Sequence, residues 1–290
     1  MKGLLIVNNF VNSTKFSEIY QLLLNSASKL GIKLDVKKSG QLLHNLFFLD
    51  SLPFDFILFW DKDVLLAKML EQRGYKVFNS ADSIFFCDNK GYTALHLEKC
   101  GINTPLTFVA PLTYEGLGYN DIEFADSIIE KLGFPLIIKE LYGSFGKQVY
   151  LVHNRNEMTN IIKKIGHKGF LFQEFISHSS GKDVRINVVG DQVVSSMLRY
   201  SVNGDFRSNI TNGGQMLKYE TSAEQNSIAI NACRALKLDF AGVDVMFGRN
   251  NEPIICEVNS NPHFKSSLDC TGIDMSPFIL SHIKRRVLEE

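Results

Sequence analysis

Three polar side chains lie on a predicted β-hairpin near the C-terminus, and their oxygen atoms could bind a metal ion. The second strand of this hairpin begins apolar and then carries Glu257 and Asn259 on one face, because strand side chains alternate. We expect Phe247 to pair with Ile254 across the hairpin. That register puts Asp244 opposite Glu257, where like charges destabilise a sheet unless a hard cation such as Mg²⁺, which takes oxygen ligands, lies between them. The alternative is an edge hairpin whose acids face water or pair with lysine.

A glycine-rich loop between two other predicted strands could bind phosphate. Lys139 lies on the first of these strands, and the loop carries Gly143, Ser144, Gly146 and then Lys147. Glycines let backbone N–H groups approach an anion closely, and flanking lysines supply positive charge. The strand–loop–strand order indicates a phosphate flap rather than a P-loop. The alternative is an ordinary glycine hairpin with solvated lysines.

A third group of residues could bind an anionic substrate. Asp183 and Arg185 share one face of a predicted strand, Arg199 lies on the next strand, and Arg207 follows in a polar loop. A guanidinium binds carboxylate or phosphate in a fork, which suits an anionic substrate or intermediate. As isolated residues, such arginines more often form surface salt bridges.

Other common catalytic patterns are missing from the sequence. It has no GxGxxG turn after the first strand, no GxxxxGK[ST] and no nucleophile–base pair. The five cysteines form no CxxC pair, and we expect them to be reduced packing residues. No histidine has a partner at metal-ligand spacing, and His263, just after the suspected metal site, is the one histidine we consider for the site.

The 290-residue chain has the composition of a soluble globular protein, with 45% hydrophobic and 21% charged residues. Its 31 basic and 31 acidic residues balance, so the overall charge does not indicate nucleic acid or an anionic membrane as a partner. The apolar run Leu4–Val7 is too short for a signal peptide, and no run approaches the roughly 20 residues of a membrane span. We therefore expect a cytoplasmic protein that binds neither nucleic acid nor membrane.

Two patterns of predicted elements follow each other along the chain. Residues 1–80 alternate strands and helices, which favours a small parallel sheet with crossover helices. Beyond residue 82, antiparallel-looking strands dominate, and we predict helices over 90–99, 126–132, 223–236 and 277–288. The order is an α/β unit followed by a larger α+β region.

Together these segments resemble the ATP-grasp ligases, specifically the RimK-like group of carboxylate–amine ligases. The matching stretches, spread over residues 80–290, are DNK, PLIIKE with GSFGK, FQEFI, GKDVRINVVGDQVV, GDFRSN, AGVDVMF, EVNSNP and TGID. The resemblance implies an α/β N-terminal domain over residues 1–85, followed by an α+β ATP-grasp fold. In that fold a central or lid subdomain (86–178) and a C-terminal subdomain (179–290) clasp ATP between antiparallel sheets.

The resemblance also implies a role for each candidate residue. It implies ATP-phosphate contacts from Lys90, Lys139 and the flap residues Gly143, Ser144, Gly146 and Lys147, adenine-side contacts from Gln173, Glu174, Phe175 and Ile176, and a ribose contact from Asp183. It implies two Mg²⁺ ions, or Mn²⁺ instead, on Asp244, Glu257 and Asn259. Arg207, with Arg185 and Arg199, would steady a substrate carboxylate and acyl phosphate, with Asn209 a nearby polar residue of the site.

The chemistry that the resemblance implies is phosphorylation of a carboxylate by ATP, followed by attack of an amine to form an amide. The chain departs from many relatives at two places: Gln148 stands where the flap often has a further glycine, and Pro262 is followed by HFKSS where many relatives have a Pro-Gly pair. GSFGK and HFKSS look more like the LysX branch, which attaches an amino acid to the C-terminal glutamate of a small carrier protein. We therefore expect an amino acid and a glutamate-containing peptide or carrier protein as substrates.

Two other functions stay open for the same fold. An ATP-grasp kinase would phosphorylate a small molecule and form no amide, and a non-catalytic regulator would bind nucleotide only. The intact set of Asp244, Glu257 and Asn259 argues against a regulator, because a retired site would be free to lose its metal ligands. Many relatives are oligomeric, so a homo-oligomer is an expectation from the resemblance alone.

Overall fold

The N-terminal part of the chain forms a four-stranded parallel sheet, as the sequence predicts. The computed structural model describes residues 1–42, 53–144, 146–208, 210 and 213–289. The sheet has the strand order β2-β1-β3-β4, with β1 at Lys2–Val7, β2 at Lys33–Lys38, β3 at Phe56–Trp60 and β4 at Val77–Phe78. Its crossover helices include α1 (Thr14–Lys29) and α2 (Val64–Gln72). All five residues of β3 are buried, which is usual for a parallel strand covered on both faces.

Two helices connect the parallel sheet to the rest of the chain: α3 (Ala81–Asp88) and α4 (Lys90–Lys99). The side chains of Ser80 and Asn89 cap them by accepting hydrogen bonds from backbone N–H groups of the first turn. The sequence predicts α4 with these bounds but misses α3, whose neighbouring apolar residues do not fall on a single helical stripe.

A second, antiparallel sheet, which we call the lid sheet, has the order β5-β8-β6-β7. Its strands are β5 (Thr107–Val109), β6 (Leu136–Glu140), β7 (Val149–Val152) and β8 (Phe170–Glu174). Helices α5 (Asp126–Leu132) and α6 (Arg155–Ile165) cover it, and their apolar residues share a core with Phe170 and Phe172. Helix α6 and the three-residue edge strand β5 are not among the elements predicted from the sequence.

The third sheet, the large sheet, is antiparallel and five-stranded in the order β11-β10-β9-β12-β13. Its strands are β9 (Lys182–Val189), β10 (Gln192–Tyr200), β11 (Gln215–Lys218), β12 (Phe240–Phe247) and β13 (Pro253–Asn259). The remaining helices are α7 (Ala223–Ala235), α8 (Lys265–Thr271) and α9 (Ser276–Glu289). The short elements β11 and α8 also have no counterpart in the sequence analysis.

One apolar core joins the parallel sheet to the large sheet. Trp60, at the end of β3, stacks on Phe240 of β12 with ring centroids 5.5 Å apart, and Phe264 packs edge-on against Trp60 at 5.9 Å. These residues belong to the same buried cluster as α1 and α9. The lid sheet packs on its own helices around a separate cluster. The domain boundaries 1–85, 86–178 and 179–290 stay a prediction. Among the described residues, no helix is both long and apolar enough to cross a lipid bilayer.

Candidate nucleotide-binding cleft

The hairpin β12–β13 contains a bulge that decides which side chains meet. Phe247 lies opposite Pro253, so the predicted pairing of Phe247 with Ile254 is wrong by one residue. The register then shifts between Val245 and Asp244, and Asp244 lies opposite Glu257 as expected. The extra residue is Cys256, and a bulge of this kind bends the strand and re-aims side chains.

The bulge puts two consecutive side chains of β13 on the same wall. Ile255 and Val258 are buried in the core beneath the large sheet. Cys256 and Glu257, between them, both line a cleft between the large sheet and the lid sheet. Strict alternation would allow only one of the two to face the cleft.

The cleft has a volume of about 900 Å³, including open solvent at its mouth. It brings together most residues that the sequence analysis selects, namely Lys90, Lys139, Gly143, Ser144, Gly146, Gln173, Glu174, Phe175, Ile176, Asp183, Arg199, Arg207, Asp244 and Glu257. Lys147, Arg185 and Asn259 are not on its lining, and Asn209 lies outside the described residues. The cleft also contains side chains that the sequence analysis does not assign to a site, among them Gln148, Phe206, Ser208 and Cys256.

A row of charged side chains crosses the floor of the cleft. Arg199 pairs with Asp183 across β10 and β9, and Arg185 pairs with Asp244 across β9 and β12. Asp244 accepts hydrogen bonds from Arg185 Nε and from Arg185 Nη2 (3.0 Å), and its Oδ2 is 3.0 Å from Arg199 Nη2. Burial alone would raise the pKa of Asp244, but the charges of Arg185 and Arg199 outweigh it and hold this pKa below its usual range. Asp244 is therefore an ionised, buried carboxylate with two arginine partners.

Asp183 belongs to the same row of charged side chains on the floor of the cleft. Its carboxylate accepts two hydrogen bonds of 2.7 Å from Arg199 and one of 2.6 Å from the hydroxyl of Ser208. Burial would lower the pKa of Arg199, while Asp183 and Asp244 raise it, and the net direction is upward. Arg185 and Arg199 therefore form buried ion pairs with these acids, unlike the surface salt bridges that isolated arginines more often form.

Two lysines lie on the opposite side of the cleft, close to Glu257. Lys90 Nζ donates to the carbonyl of Gly143 (3.1 Å) and is 4.0 Å from Glu257 Oε1. Lys139 Nζ lies 3.9 Å from Cys256 Sγ, and the Lys139 side chain is almost fully buried. Burial lowers the pKa of Lys90, the carboxylate of Glu257 opposes this, and the charge of Lys139 lowers it further. Two confined ammonium groups make this part of the cleft suited to an anion such as phosphate.

The glycine loop lies over these cations. Gly143 has φ +150°, and a Cβ atom at this position would overlap the carboxamide of Gln148. Arg207 Nη1 donates to the carbonyl of Gly146 (2.9 Å), so both ends of the loop are held by cationic side chains. The Oε1 atom of Gln148 is shielded from solvent and has no hydrogen-bond partner among the described residues. A backbone cradle with no room for a Cβ, next to cations, fits a phosphate group.

The end of β8 forms the other end of the cleft. Gln173 Nε2 donates to Thr107 Oγ1 (2.9 Å), and Glu174 accepts from the backbone N–H of Leu106 at 3.3 Å. Phe175 packs edge-on against Phe206 with centroids 6.5 Å apart. An apolar wall of this kind suits a purine ring.

The side chains of Asp244, Glu257 and Asn259 could also bind a divalent cation. Asp244 and Glu257 are opposite each other, and Asn259 lies half-buried on the same strand, with its Nδ2 3.4 Å from the carbonyl of Gly242. Two carboxylates plus phosphate oxygens are a common Mg²⁺ ligand set. Within the described ranges, no group of three or more His, Cys, Asp or Glu side chains forms a metal site by itself.

The fold and the cleft define an ATP-grasp protein. The structure matches that of a RimK-domain ATP-grasp protein from Sphaerobacter thermophilus with a TM-score of 0.74 and 20% sequence identity, over 97% of this chain and 99% of that one. More narrowly, residues 90–283 match the RimK-like ATP-grasp domain, and the chain belongs to that family.

Two relatives with named activities match most of this chain, and the match spans about half of their own length. Human N-acetylaspartylglutamate synthase A is 32% identical over 223 residues, which are 77% of this chain and 56% of that protein. A probable alpha-L-glutamate ligase of Parasynechococcus marenigrum is 33% identical over 224 residues, 77% of this chain and 46% of that protein. The chain thus spans about half the length of these curated relatives.

Proposed function

We propose that this protein is an ATP-dependent carboxylate–amine ligase. The observation that carries the proposal is the cleft between two antiparallel sheets, with Lys90 and Lys139 on one side and Asp244 and Glu257 on the other. One side suits the phosphates of a nucleotide, and the other suits the cations that accompany them.

In this proposal the nucleotide lies along the cleft, with its base at the end of β8 and its phosphates under the glycine loop. Gln173, Glu174, Phe175 and Ile176 would contact the base, and Asp183 the ribose. Lys90, Lys139 and the backbone of Gly143, Ser144, Gly146 and Lys147 would contact the phosphates. Asp183 could accept from a ribose hydroxyl only by sharing oxygens that already accept from Arg199 and Ser208.

Asp244, Glu257 and Asn259 would hold two Mg²⁺ ions, or Mn²⁺ in their place. Bound there, the ions would neutralise charge that develops on the phosphate oxygens. Because Asp244 already has two arginine partners, loading this site requires Arg185 and Arg199 to share or release its carboxylate. The released guanidinium groups would then face the reacting phosphate, together with Arg207 and Asn209.

The proposed reaction has two steps. A carboxylate oxygen of one substrate attacks the γ-phosphorus of ATP, and the bond to the ADP oxygen breaks, which leaves an acyl phosphate. The nitrogen of an amine then attacks the acyl carbon, the amine loses a proton, and inorganic phosphate leaves with the electron pair of the broken C–O bond. Arginine side chains favour both steps by stabilising phosphate charge, so no protein nucleophile is needed.

For the substrates, we propose an amino acid and a glutamate-containing peptide or carrier protein. The names of the relatives support this class, because two of them are a synthase of N-acetylaspartylglutamate and a probable alpha-L-glutamate ligase. The carrier protein and the homo-oligomer stay predictions.

An ATP-hydrolysis screen tests the proposal. Purified protein is incubated with ATP, MgCl₂ and pairs of amino acids and glutamate-terminated peptides, and ADP release is measured alongside mass spectrometry of the products. We expect ADP release that requires both substrates, and a product lighter than their sum by one water. A stable phosphorylated product would identify a kinase instead, and nucleotide binding without turnover in any pair would identify a regulator.

A further inference from the structure

The carboxylate of Asp244 would have to serve both Arg185 and the proposed divalent cation. In the structure it accepts hydrogen bonds from Arg185 Nε and from Nη2 of the same guanidinium (3.0 Å). Only 12% of the Arg185 side chain is exposed, so a guanidinium released from Asp244 stays inside the protein. A buried charged group without a hydrogen-bond partner is strongly destabilising, and a released Arg185 therefore needs a second acceptor nearby.

The side chain of Asn187 offers such an acceptor. Asn187 lies two residues after Arg185 on the same face of β9, and it is fully buried. Its Nδ2 donates to the hydroxyls of Ser195 (3.0 Å) and Ser267 (2.8 Å), and these two bonds fix the carboxamide. Its Oδ1 is shielded from solvent and has no hydrogen-bond partner among the described residues. Because nearly all shielded polar atoms in proteins are hydrogen-bonded, this oxygen indicates a donor that reaches it in another state of the protein.

Gly242 leaves room for a guanidinium between Arg185 and Asn187. It lies directly opposite Asn187 in the ladder of β9 and β12, and Arg185 Nη1 is 2.9 Å from where a Cβ atom of Gly242 would be. Side chains directly opposite each other have Cβ atoms about 4.5–5.5 Å apart, so the Arg185 guanidinium already lies beside the Asn187 carboxamide. Since glycine has no side chain, nothing from β12 separates the two groups. Arg185 can therefore turn from Asp244 to Asn187 by a short movement.

We infer that Asn187 is a positioning residue for Arg185, whose guanidinium donates to Asn187 Oδ1 when a cation occupies Asp244. This inference rests on the proposed function and adds to it the place that Arg185 takes in the loaded cleft. A guanidinium has five N–H donors, so one of them can bind Asn187 while others face the reacting phosphate. Loading of Asp244 and placement of Arg185 are coupled in this arrangement.

A crystal structure of the protein with ADP and MgCl₂ tests the inference directly. We expect an N–H group of Arg185 within about 3.2 Å of Asn187 Oδ1, and the hydrogen bond from Arg185 Nε to Asp244 lost. The inference is wrong if a cation is bound to Asp244 while Arg185 keeps both hydrogen bonds to that carboxylate or does not reach Asn187. A complex in which Asp244 binds no cation would overturn the inference together with the metal assignment.

Calorimetry tests the same inference in solution. Asn187→Leu keeps most of the buried volume but removes the acceptor. We expect it to weaken ADP binding in MgCl₂ by about tenfold, because a displaced Arg185 then has no second acceptor, and to leave ADP binding in EDTA unchanged. Ser195→Ala is the matched control, since it removes one partner of Asn187 Nδ2 but leaves Oδ1 in place. Circular dichroism confirms that both variants are folded at the temperature of the titration.

Asn187→Asp separates positioning from lost stability. A carboxylate is a stronger acceptor than a carboxamide and should draw Arg185 away from Asp244 even without metal. We expect ADP binding in MgCl₂ to become tighter, whereas a purely structural role of Asn187 predicts weaker binding. Weaker binding in Asn187→Asp, or equal affinities of Asn187→Leu and Ser195→Ala in MgCl₂, would overturn the inference. Failure of the ligase proposal is recorded separately, as the absence of amide product in the wild-type protein.

Discussion

Arg199 and Asp183 lie directly opposite each other on strands β10 and β9, and two hydrogen bonds of 2.7 Å join the guanidinium to the carboxylate. The same guanidinium reaches Asp244, so one buried arginine bridges two carboxylates in the floor of the cleft. This arrangement makes Arg199 important for stability as well as for the proposed chemistry.

Replacement of Arg199 by Met should strongly destabilise the protein. Among the described residues, it leaves Asp183 with the Ser208 hydroxyl and Asp244 with Arg185 as side-chain partners. Breaking a buried ion pair on one side typically lowers the free energy of unfolding by about 3–5 kcal/mol. Urea denaturation followed by circular dichroism measures the change. Arg234→Met, which removes a solvent-exposed pair with Asp191, should have no measurable effect. Equal midpoints for the two variants would contradict the role of Arg199.

Replacement of Glu257 by Gln should lower kcat strongly without unfolding the protein. The Glu257 side chain is about a third exposed, at 35%, and its nearest cation, Lys90, is 4.0 Å away, so the folded state loses little. Removal of one charge that stabilises a phosphoryl-transfer transition state commonly lowers kcat by about 10²–10³. Substrate-dependent ADP release measures kcat, with Glu224→Gln on the exposed start of α7 as control. A wild-type rate in Glu257→Gln would refute the metal-site assignment.

Nucleotide affinity should fall at alkaline pH because of Lys90. Its pKa is lowered, first by burial, so its charge is lost at a lower pH than that of an ordinary lysine near 10.4. Binding of ADP should therefore be strongest below the folded pKa of Lys90 and weaken as pH rises through it. Isothermal titration calorimetry between pH 7 and 10 measures this trend. Lys90→Met should bind ADP more weakly at every pH, and its affinity should depend much less on pH. Lys163→Met, which changes an exposed residue of α6, should keep the pH dependence of the wild-type protein.

Replacement of Gly143 by Ala should weaken ADP binding for two separable reasons. The φ of +150° disfavours any side chain, and the new methyl group would overlap Gln148. Adding Gln148→Gly to Gly143→Ala should restore the part of the affinity that the overlap removes. Gly116→Ala is the matched control, since Gly116 also has positive φ (+85°) but nothing within 4 Å of its Cβ position. No recovery in the double variant would show that Gln148 does not crowd the loop.

Cys256 should react slowly with iodoacetamide. Burial raises the pKa of its thiol to about 11, and the thiolate is the reactive form. At pH 8, mass spectrometry should find the exposed Cys100 alkylated well before Cys256, and ADP should slow Cys256 further because that residue lines the cleft. Faster labelling of Cys256 than of Cys100 would contradict the raised pKa of the Cys256 thiol.

Local sequence signals predict much of the fold. Helices 90–99 and 126–132 have the predicted bounds, because terminal glycines follow them closely and Asn89 caps the first of them. Among the missed elements, α8, β5 and β11 are short, and α3 lacks one clear apolar stripe. Helix α6 does carry a stripe, formed by Met158, Ile162 and Ile165 between the cap Asn154 and Gly166, so a local signal for it is present in the sequence.

Local sequence signals do not predict which side chains meet in the candidate site. The sequence correctly puts Asp183 and Arg185 on one face, but their partners depend on the order β10-β9-β12-β13, which pairs residues far apart in the chain. The bulge at Cys256 is likewise invisible, since the residue pattern of β13 is compatible with an unbroken ladder. The assigned roles of the individual residues stay predictions until variants are measured.

The core that the parallel sheet shares with the large sheet has a mechanical consequence. Stacking of Trp60 on Phe240 joins those two sheets through one shared core, while the lid sheet shares its own core with α5 and α6. Hinge motion of the lid would therefore change the width of the nucleotide cleft without disturbing the core that holds the floor together. The phosphate loop would travel with the lid in each turnover, and the charged floor beneath it would stay in place.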